Sequence, residues 1–229
     1  MDKKTIIALS LLSLVATGTA QAGSSTISVA GSVVNAPVTS MREARFGSIL
    51  LQQYDFSCGS AALASLLTFH YDRAVQEAEV FQKMYEVGDK AAIHAKGFSL
   101  LDMKKYLQSL QLDSAGFKVS LEQMSGAGVP AIALIDLKGY KHFVVVKGID
   151  RDSVLVGDPA LGLKVYAREE FEGMWNGIAF VITDEVEVAR TNFDRESEWQ
   201  VRPKAPVSAA LVDQGLASFS RNLPGLNTF

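Results

Sequence analysis

The sequence predicts an α+β domain, and three observations carry that expectation. The first half of residues 47–184 spaces its apolar residues with helical period. The second half switches to short runs of Val, Ile and Phe at hairpin spacing, so helices precede an antiparallel sheet rather than alternating with strands. The chain of 229 residues is 48% apolar and 21% charged, enough to bury a core in one domain of ordinary size plus appendages.

The elements follow in order. Cys58 to Phe69 is apolar on most faces, as a buried helix is. Val75 to Val87 sets Ala78, Phe81, Met84 and Tyr85 at helical spacing. Ser99 to Leu110 begins on a cap-type serine and aligns Leu100, Met103, Leu107 and Leu110 in one stripe. Ser120-Leu121-Glu122-Gln123 is a capping-box pattern that starts one more short helix. Strand signals then follow at Pro130–Ile135, His142–Ile149, Val154–Val156 and Gly177–Thr183, separated by Gly, Asp, Asn and Lys.

The flanks read differently. Lys3 and Lys4, the apolar run Ile6–Ala16 and the small-residue site Ala20-Gln21-Ala22 form a secretory signal peptide over residues 1–22, too short in its apolar part to span a bilayer. Residues 23–46 form an N-terminal arm, whose alternation around Ile27–Val34 fits either an added edge strand or a flexible arm. Residues 185–229 turn polar and read as a C-terminal extension, with one amphipathic helix candidate at Ser208–Phe219. The expected location is periplasmic.

Composition bounds the chemistry. A net charge of -3 excludes a strongly basic surface built for nucleic acid. One cysteine excludes an internal disulfide and any zinc site made of several thiolates. No cofactor is expected. In an oxidising compartment an unpaired thiol is either buried and inert or kept for its reactivity.

The surroundings of that thiol favour reactivity. A polar loop, Gln52-Gln53-Tyr54-Asp55-Phe56-Ser57, delivers Cys58 to the first turn of the apolar helix, where unpaired N–H groups and the positive helix end favour a thiolate. Gly59 and Ala61 keep the neighbourhood small, so a substrate backbone is expected to approach closely. A glutamine upstream can join the Cys58 N–H as an oxyanion donor, with Gln52 and Gln53 as rival candidates.

Three histidines compete to be the base. His70 ends the helix that Cys58 begins, about 18 Å away, so it cannot touch the thiol. His94 falls in an expected loop with no carboxylate beside it. His142 opens the apolar strand His142-Phe143-Val144-Val145-Val146, and the next strand ends in Asp158. An odd-numbered loop near Arg151 places Asp158 opposite Val144, on the face of His142; an even loop places it on the wrong face unless a bulge intervenes. On the right face, Asp158 can fix the imidazole tautomer and stabilise the imidazolium.

These residues resemble the bacteriocin-processing, double-glycine-leader cysteine peptidases, papain-like enzymes often fused to peptide-exporting ABC transporters. The resemblance rests on Gln52, Cys58-Gly59, Pro130-Ala131-Ile132-Ala133-Leu134-Ile135, His142-Phe143-Val144-Val145 and Gly157-Asp158-Pro159-Ala160-Leu161-Gly162, and it spans residues 47 to 182. The family's steps, six from glutamine to cysteine and sixteen from histidine to aspartate, match 52 to 58 and 142 to 158 and select Gln52 over Gln53. The pattern departs in one place: the aspartate often found before the cysteine is Ser57, which leaves the nucleophile alone and bears on substrate contacts.

The resemblance implies a papain-like fold, a Cys58-His142-Asp158 triad with Gln52 as oxyanion donor, and cleavage after a small-residue pair such as Gly-Gly. With an export signal and neither a transmembrane nor a nucleotide-binding part, the chain is similar to stand-alone exported members. That implies a polypeptide substrate, with outer-membrane secretion or amyloid-export components as partners. A second reading keeps the fold as a docking module that holds an exported chain without cutting it. A third, a cell-wall amidase of the other papain-like type, is disfavoured by the aspartate after the histidine.

Overall fold

The computed structural model describes residues 24–29, 32–37, 40–54 and 56–201. The expected signal peptide at 1–22 and the expected helix at Ser208–Phe219 lie outside these residues. The chain divides into two units at Ser40/Met41. In the first, β1 (Ser24–Val29) and β2 (Ser32–Pro37) pair antiparallel as a two-stranded sheet of their own. The alternation around Ile27–Val34 therefore makes a hairpin, neither of the two forms expected for it.

The second unit begins with five helices: α1 (Met41–Phe46), α2 (Cys58–His70), α3 (Glu77–Val87), α4 (Lys90–Lys96) and α5 (Leu100–Ser109). Next come β3 (Ser114–Lys118), α6 (Leu121–Ala127), β4 (Ala131–Leu137), β5 (Tyr140–Ile149), β6 (Ser153–Asp158) and β7 (Gly162–Ala167). The described chain closes with α7 (Arg168–Met174), β8 (Trp175–Ile182), α8 (Val186–Thr191) and a 3-10 turn at Glu196–Val201. The six strands β3 to β8 form one antiparallel sheet in the order β3-β8-β4-β5-β6-β7. This is the papain-like α+β arrangement, with α2, α3 and α5 on one face of the sheet and α6 and α7 on the other.

Helix α2 has no solvent face along most of its length, and Ala61, Leu63, Ala64, Leu66 and Leu67 are fully buried. It packs on β5 through Phe143 and Val145, while Val144 and Val146 point to the opposite core with Val154, Val156 and Phe171. Two helix starts are fixed by reciprocal caps, Ser120 with Gln123 as expected, and Ser99 with Asp102, where only the capping serine was expected. Helices α1, α4, α7 and α8 were not expected, and at α4 the expected loop around His94 is a helix capped by Asp89, whose carboxylate accepts from Ala91 and Ala92 N–H.

The chain keeps packing on both sides of the expected domain edges, 47 and 184. Helix α1 packs on β7 and on the 3-10 turn, and a side chain at Gly162 would strike the Arg45 carbonyl. Past Asp184 the chain keeps packing. Asn192 Nδ2 donates to the His70 carbonyl at 3.1 Å, Arg195 to the Phe69 carbonyl at 3.3 Å, and Lys147 Nζ lies 3.2 Å from Glu198 Oε1. Residues 185–201 therefore belong to the domain; polar composition disguised them, because they dock through charge and hydrogen bonds rather than an apolar stripe. Among the described residues no helix is long and apolar enough to cross a membrane.

Candidate active site

Cys58 is the first residue of α2 and is nearly buried. The residue before it, Ser57, does not cap the helix with its side chain. Its hydroxyl donates to the Tyr54 carbonyl at 3.0 Å and accepts from the Tyr54 N–H at 3.1 Å, closing the loop in front of the cysteine. The first turn of α2 holds no acidic residue of its own, and the Glu77 carboxylate of α3 meets it from outside, accepting from Ser60 Oγ at 2.8 Å. The small residues after Cys58 serve another purpose than the one expected of them. A methyl at Gly59 would lie 3.0 Å from Met103 Cε and from Phe98 Cβ, and Ala61 is fully buried, so both let α2 pack closely on its neighbours rather than admit substrate.

His142 and Asp158 meet across β5 and β6. His142 Nε2 lies 2.8 Å from Asp158 Oδ1, with both side chains buried. The same oxygen accepts from the N–H groups of Ala160 at 2.8 Å and Leu161 at 3.2 Å, so the Asp158-Pro159 turn aims the carboxylate. Burial acts to raise the Asp158 pKa, and the His142 bond and charge with the two N–H groups reverse this and hold it below the ordinary value. For His142, burial acts downward, and the bond to Asp158 and the influence of Cys58 overcome it, raising the pKa to about 9. With Nε2 committed to the carboxylate, Nε2 carries the N–H and Nδ1, which has no hydrogen-bond partner, is left to exchange a proton.

The register that allows this contact comes from a bulge. The β5–β6 turn has an even, two-residue loop, with Asp150 N–H donating to the Ser153 carbonyl and Ile149 opposite Val154. That register sets Asp158 on the wrong face. The pairing slips between Val146 and Gly148, so Val145 faces Gly157 and Asp158 falls opposite Val144, on the face of His142. The residue left over is Lys147. A Lys-Gly pair interrupting an apolar strand was the available signal.

Gln52 is half-buried and Gln53 exposed. The Gln52 backbone N–H donates to the Pro159 carbonyl at 3.0 Å, and its side-chain Nε2 donates to the Tyr54 carbonyl at 3.2 Å, leaving the second amide hydrogen for another acceptor. The other histidines stand apart. His70 is fully buried at the far end of α2, and His94 is exposed with Nε2 2.9 Å from the Tyr85 hydroxyl. Tyr140, two residues before His142, stacks on its ring with centroids 6.0 Å apart. Its spacing, which puts both on one strand face, could have found it.

Among the described residues no group of three or more His, Cys, Asp or Glu is placed to hold a metal ion. An apolar cavity of about 310 Å³, lined by residues such as Phe117, Met124, Val181 and Val186, contains none of the four site residues.

The family model for the peptidase C39 family matches residues 47–187. The chain is 43% identical over 152 residues to a probable functional amyloid protease FapD of Pseudomonas aeruginosa, covering 66% of this chain and 67% of that one. It is 40% identical over 179 residues to the Pseudomonas fluorescens protein of the same name, covering 77% and 79%. Among solved structures, the peptidase domain of Streptococcus ComA, a bifunctional ABC transporter in a quorum-sensing pathway, aligns with a TM-score of 0.51 at 21% identity, covering 59% of this chain and 96% of that domain. A double glycine motif protease from an AMS/PCAT transporter, solved with its leader peptide, aligns with a TM-score of 0.50 at 26% identity, covering 58% and 89%.

Proposed function

The chain belongs to the peptidase C39 family, and from that premise we propose that it is an exported cysteine endopeptidase whose nucleophile, base and orienting carboxylate are Cys58, His142 and Asp158. The observation that carries this reading is the buried 2.8 Å contact between His142 and Asp158, on a ring whose protonation Cys58 also raises. The cysteine peptidase role itself agrees with the FapD relatives.

In the proposed reaction His142 Nδ1 takes the thiol proton and Cys58 Sγ attacks the scissile carbonyl carbon. The oxyanion is held by the Cys58 N–H and the free amide hydrogen of Gln52. As the tetrahedral intermediate collapses, the C–N bond breaks and the leaving amine receives the proton from Nδ1, leaving a thioester on Cys58. A water molecule, deprotonated by Nδ1, attacks the thioester; the acid leaves and the thiol regains its proton. Asp158 stays ionised throughout and stabilises the imidazolium.

The substrate is proposed to be an exported polypeptide of a functional-amyloid system, by likeness to the FapD proteins, cut after a small-residue pair, by likeness to the double glycine motif protease. The location is proposed to be the periplasm, on the signal pattern of residues 1–22. The test compares wild type with Cys58→Ala in the host, by thiol-probe labelling and N-terminal sequencing of exported proteins. Loss of one defined cleavage in the variant is expected. Identical exported termini in both strains, with no labelling of the wild type at neutral pH, would overturn the reading; restored secretion by Cys58→Ala in a deletion strain would point to docking.

A further inference from the structure

The segment Ser48–Gln52 has no regular secondary structure, yet it is tied down at every second residue. Lys147 Nζ donates to the Ser48 carbonyl at 2.9 Å, the Leu50 N–H donates to Ser65 Oγ at 2.8 Å, and the Gln52 N–H donates to the Pro159 carbonyl at 3.0 Å. The three anchors belong to the β5 bulge, to α2 and to the turn after Asp158. Two of them come from elements that carry site residues by necessity. The first comes from Lys147, whose position needs an explanation.

Lys147 is 1% exposed, in the interior of a strand. Burial pulls its pKa down to about 8 in spite of the Glu198 charge. A buried ion pair of this kind is a poor device for stability alone, since well-packed apolar residues of similar volume commonly do as well or better. What the ammonium touches is more telling. It reaches the Ser48 carbonyl on the Gln52 segment and Glu198 Oε1 in the C-terminal turn. Its stem covers Gly157, the residue before Asp158: a methyl there would lie 3.0 Å from Lys147 Cδ and 3.0 Å from Ile49 Cδ1. Its own carbonyl accepts from the Asp194 N–H at 2.7 Å, so the C-terminal segment grips the bulge through backbone as well as charge.

We propose that Lys147 is a positioning residue for the catalytic centre: from the β5 bulge it fixes the segment that carries Gln52 and the strand that ends in Asp158, with Glu198 as the counter-charge that keeps it there. The inference rests on the peptidase reading of Cys58, His142 and Asp158. It makes the turn at Glu196–Val201 a working part of the enzyme, although it lies more than a hundred residues after the nucleophile.

The test uses the full exported chain with both charges removed together, Lys147→Met/Glu198→Gln, so that neither is left buried alone. Three quantities are read. Thermal unfolding reports the fold. The pH profile of Cys58 alkylation by iodoacetamide reports the His142–Asp158 pair and needs no oxyanion donor. The affinity of a peptide aldehyde ending in Gly-Gly, to which the thiol adds to give a hemithioacetal, reports the oxyanion donors. Expected are a cooperative transition within a few degrees of wild type, an upper limb of alkylation moved to lower pH, and aldehyde affinity weakened about tenfold or more. Lys147→Leu/Glu198→Met repeats the test with another filling of the same space if the first pair does not fold. A folded double variant with wild-type alkylation and aldehyde binding would overturn the role of Lys147. A wild type that binds no aldehyde, and whose alkylation is indifferent to His142→Ala, would overturn the peptidase reading instead.

Discussion

The backbone N–H of Gln52 donates to the carbonyl of Pro159, the residue directly after Asp158, at 3.0 Å. The segment that carries Gln52, the proposed oxyanion donor, is thus hung from the turn that holds the Asp158 carboxylate. Gln52→Ala removes the side-chain donor and keeps this backbone tie. It is expected to lower kcat by about 10²–10³ with little change in KM, because the donor acts where charge develops. Steady-state kinetics on a Gly-Gly peptide substrate check this, and a pure KM effect would remove Gln52 from the oxyanion role.

Asp158→Asn exchanges the charge on His142 for a neutral amide that can present the wrong hydrogen-bond partner to Nε2. Activity is expected to fall by about 10²–10⁴. Asp158 helps raise the His142 pKa to about 9, so the wild-type rate should hold until the imidazolium is lost near that pH. In the variant the alkaline limb of kcat/KM should move to lower pH. An unmoved limb would mean that Asp158 does not set the charge on this ring.

The two buried histidines tilt stability in opposite senses. His142 keeps its proton in the folded state up to about 9, above the unfolded value of about 6.5. Its contribution is complete below 6.5 and is lost as pH rises toward 9. His70 has neither ring nitrogen partnered; burial first, then the charges of Lys147 and Arg195, hold its pKa well below 6.5. As pH falls below 6.5 the unfolded chain takes up a proton the folded chain refuses, and stability drops by up to about 1.4 kcal/mol per pH unit. Urea unfolding from mildly acid to mildly alkaline pH should show both limbs. His70→Leu should flatten the acid one, and His142→Gln the alkaline one.

Gly162 closes the turn after Asp158 at φ +80°, and a methyl there would lie 2.7 Å from the Arg45 carbonyl oxygen. Gly162→Ala therefore meets both backbone strain and a collision with α1. A loss of about 1–3 kcal/mol in chemical denaturation is expected, without relief from side-chain rotation because the clash is with backbone.

The helices with reciprocal caps, at Ser99 and Ser120, and the strands rich in Val and Ile were legible because each announces itself locally. The contact between His142 and Asp158 was legible as their spacing of sixteen residues across a hairpin. What escaped is set by partners distant in sequence. Strand β3, Ser-Ala-Gly-Phe-Lys, has little apolar alternation and exists because β8 pairs with it. Helix α4 is short and held by one aspartate. Residues 185–201 carry no apolar period and are kept by Lys147, the carbonyls of Phe69 and His70, and Asp194 bonded to the bulge. The bulge decided which of two registers applied, and a loop count alone could not choose.

The strand order places β8 between β3 and β4, although it is the last strand in sequence among the described residues. A chain delivered N-terminus first therefore presents Cys58 long before it can complete the sheet on which His142 and Asp158 are mounted. Until Trp175–Ile182 has slotted in, β4 lacks one neighbour and β3 lacks its only one. Long-range closure of this kind is a late step in folding. Completion of the sheet that carries His142 and Asp158 is in this way tied to the arrival of Trp175–Ile182, more than a hundred residues after Cys58.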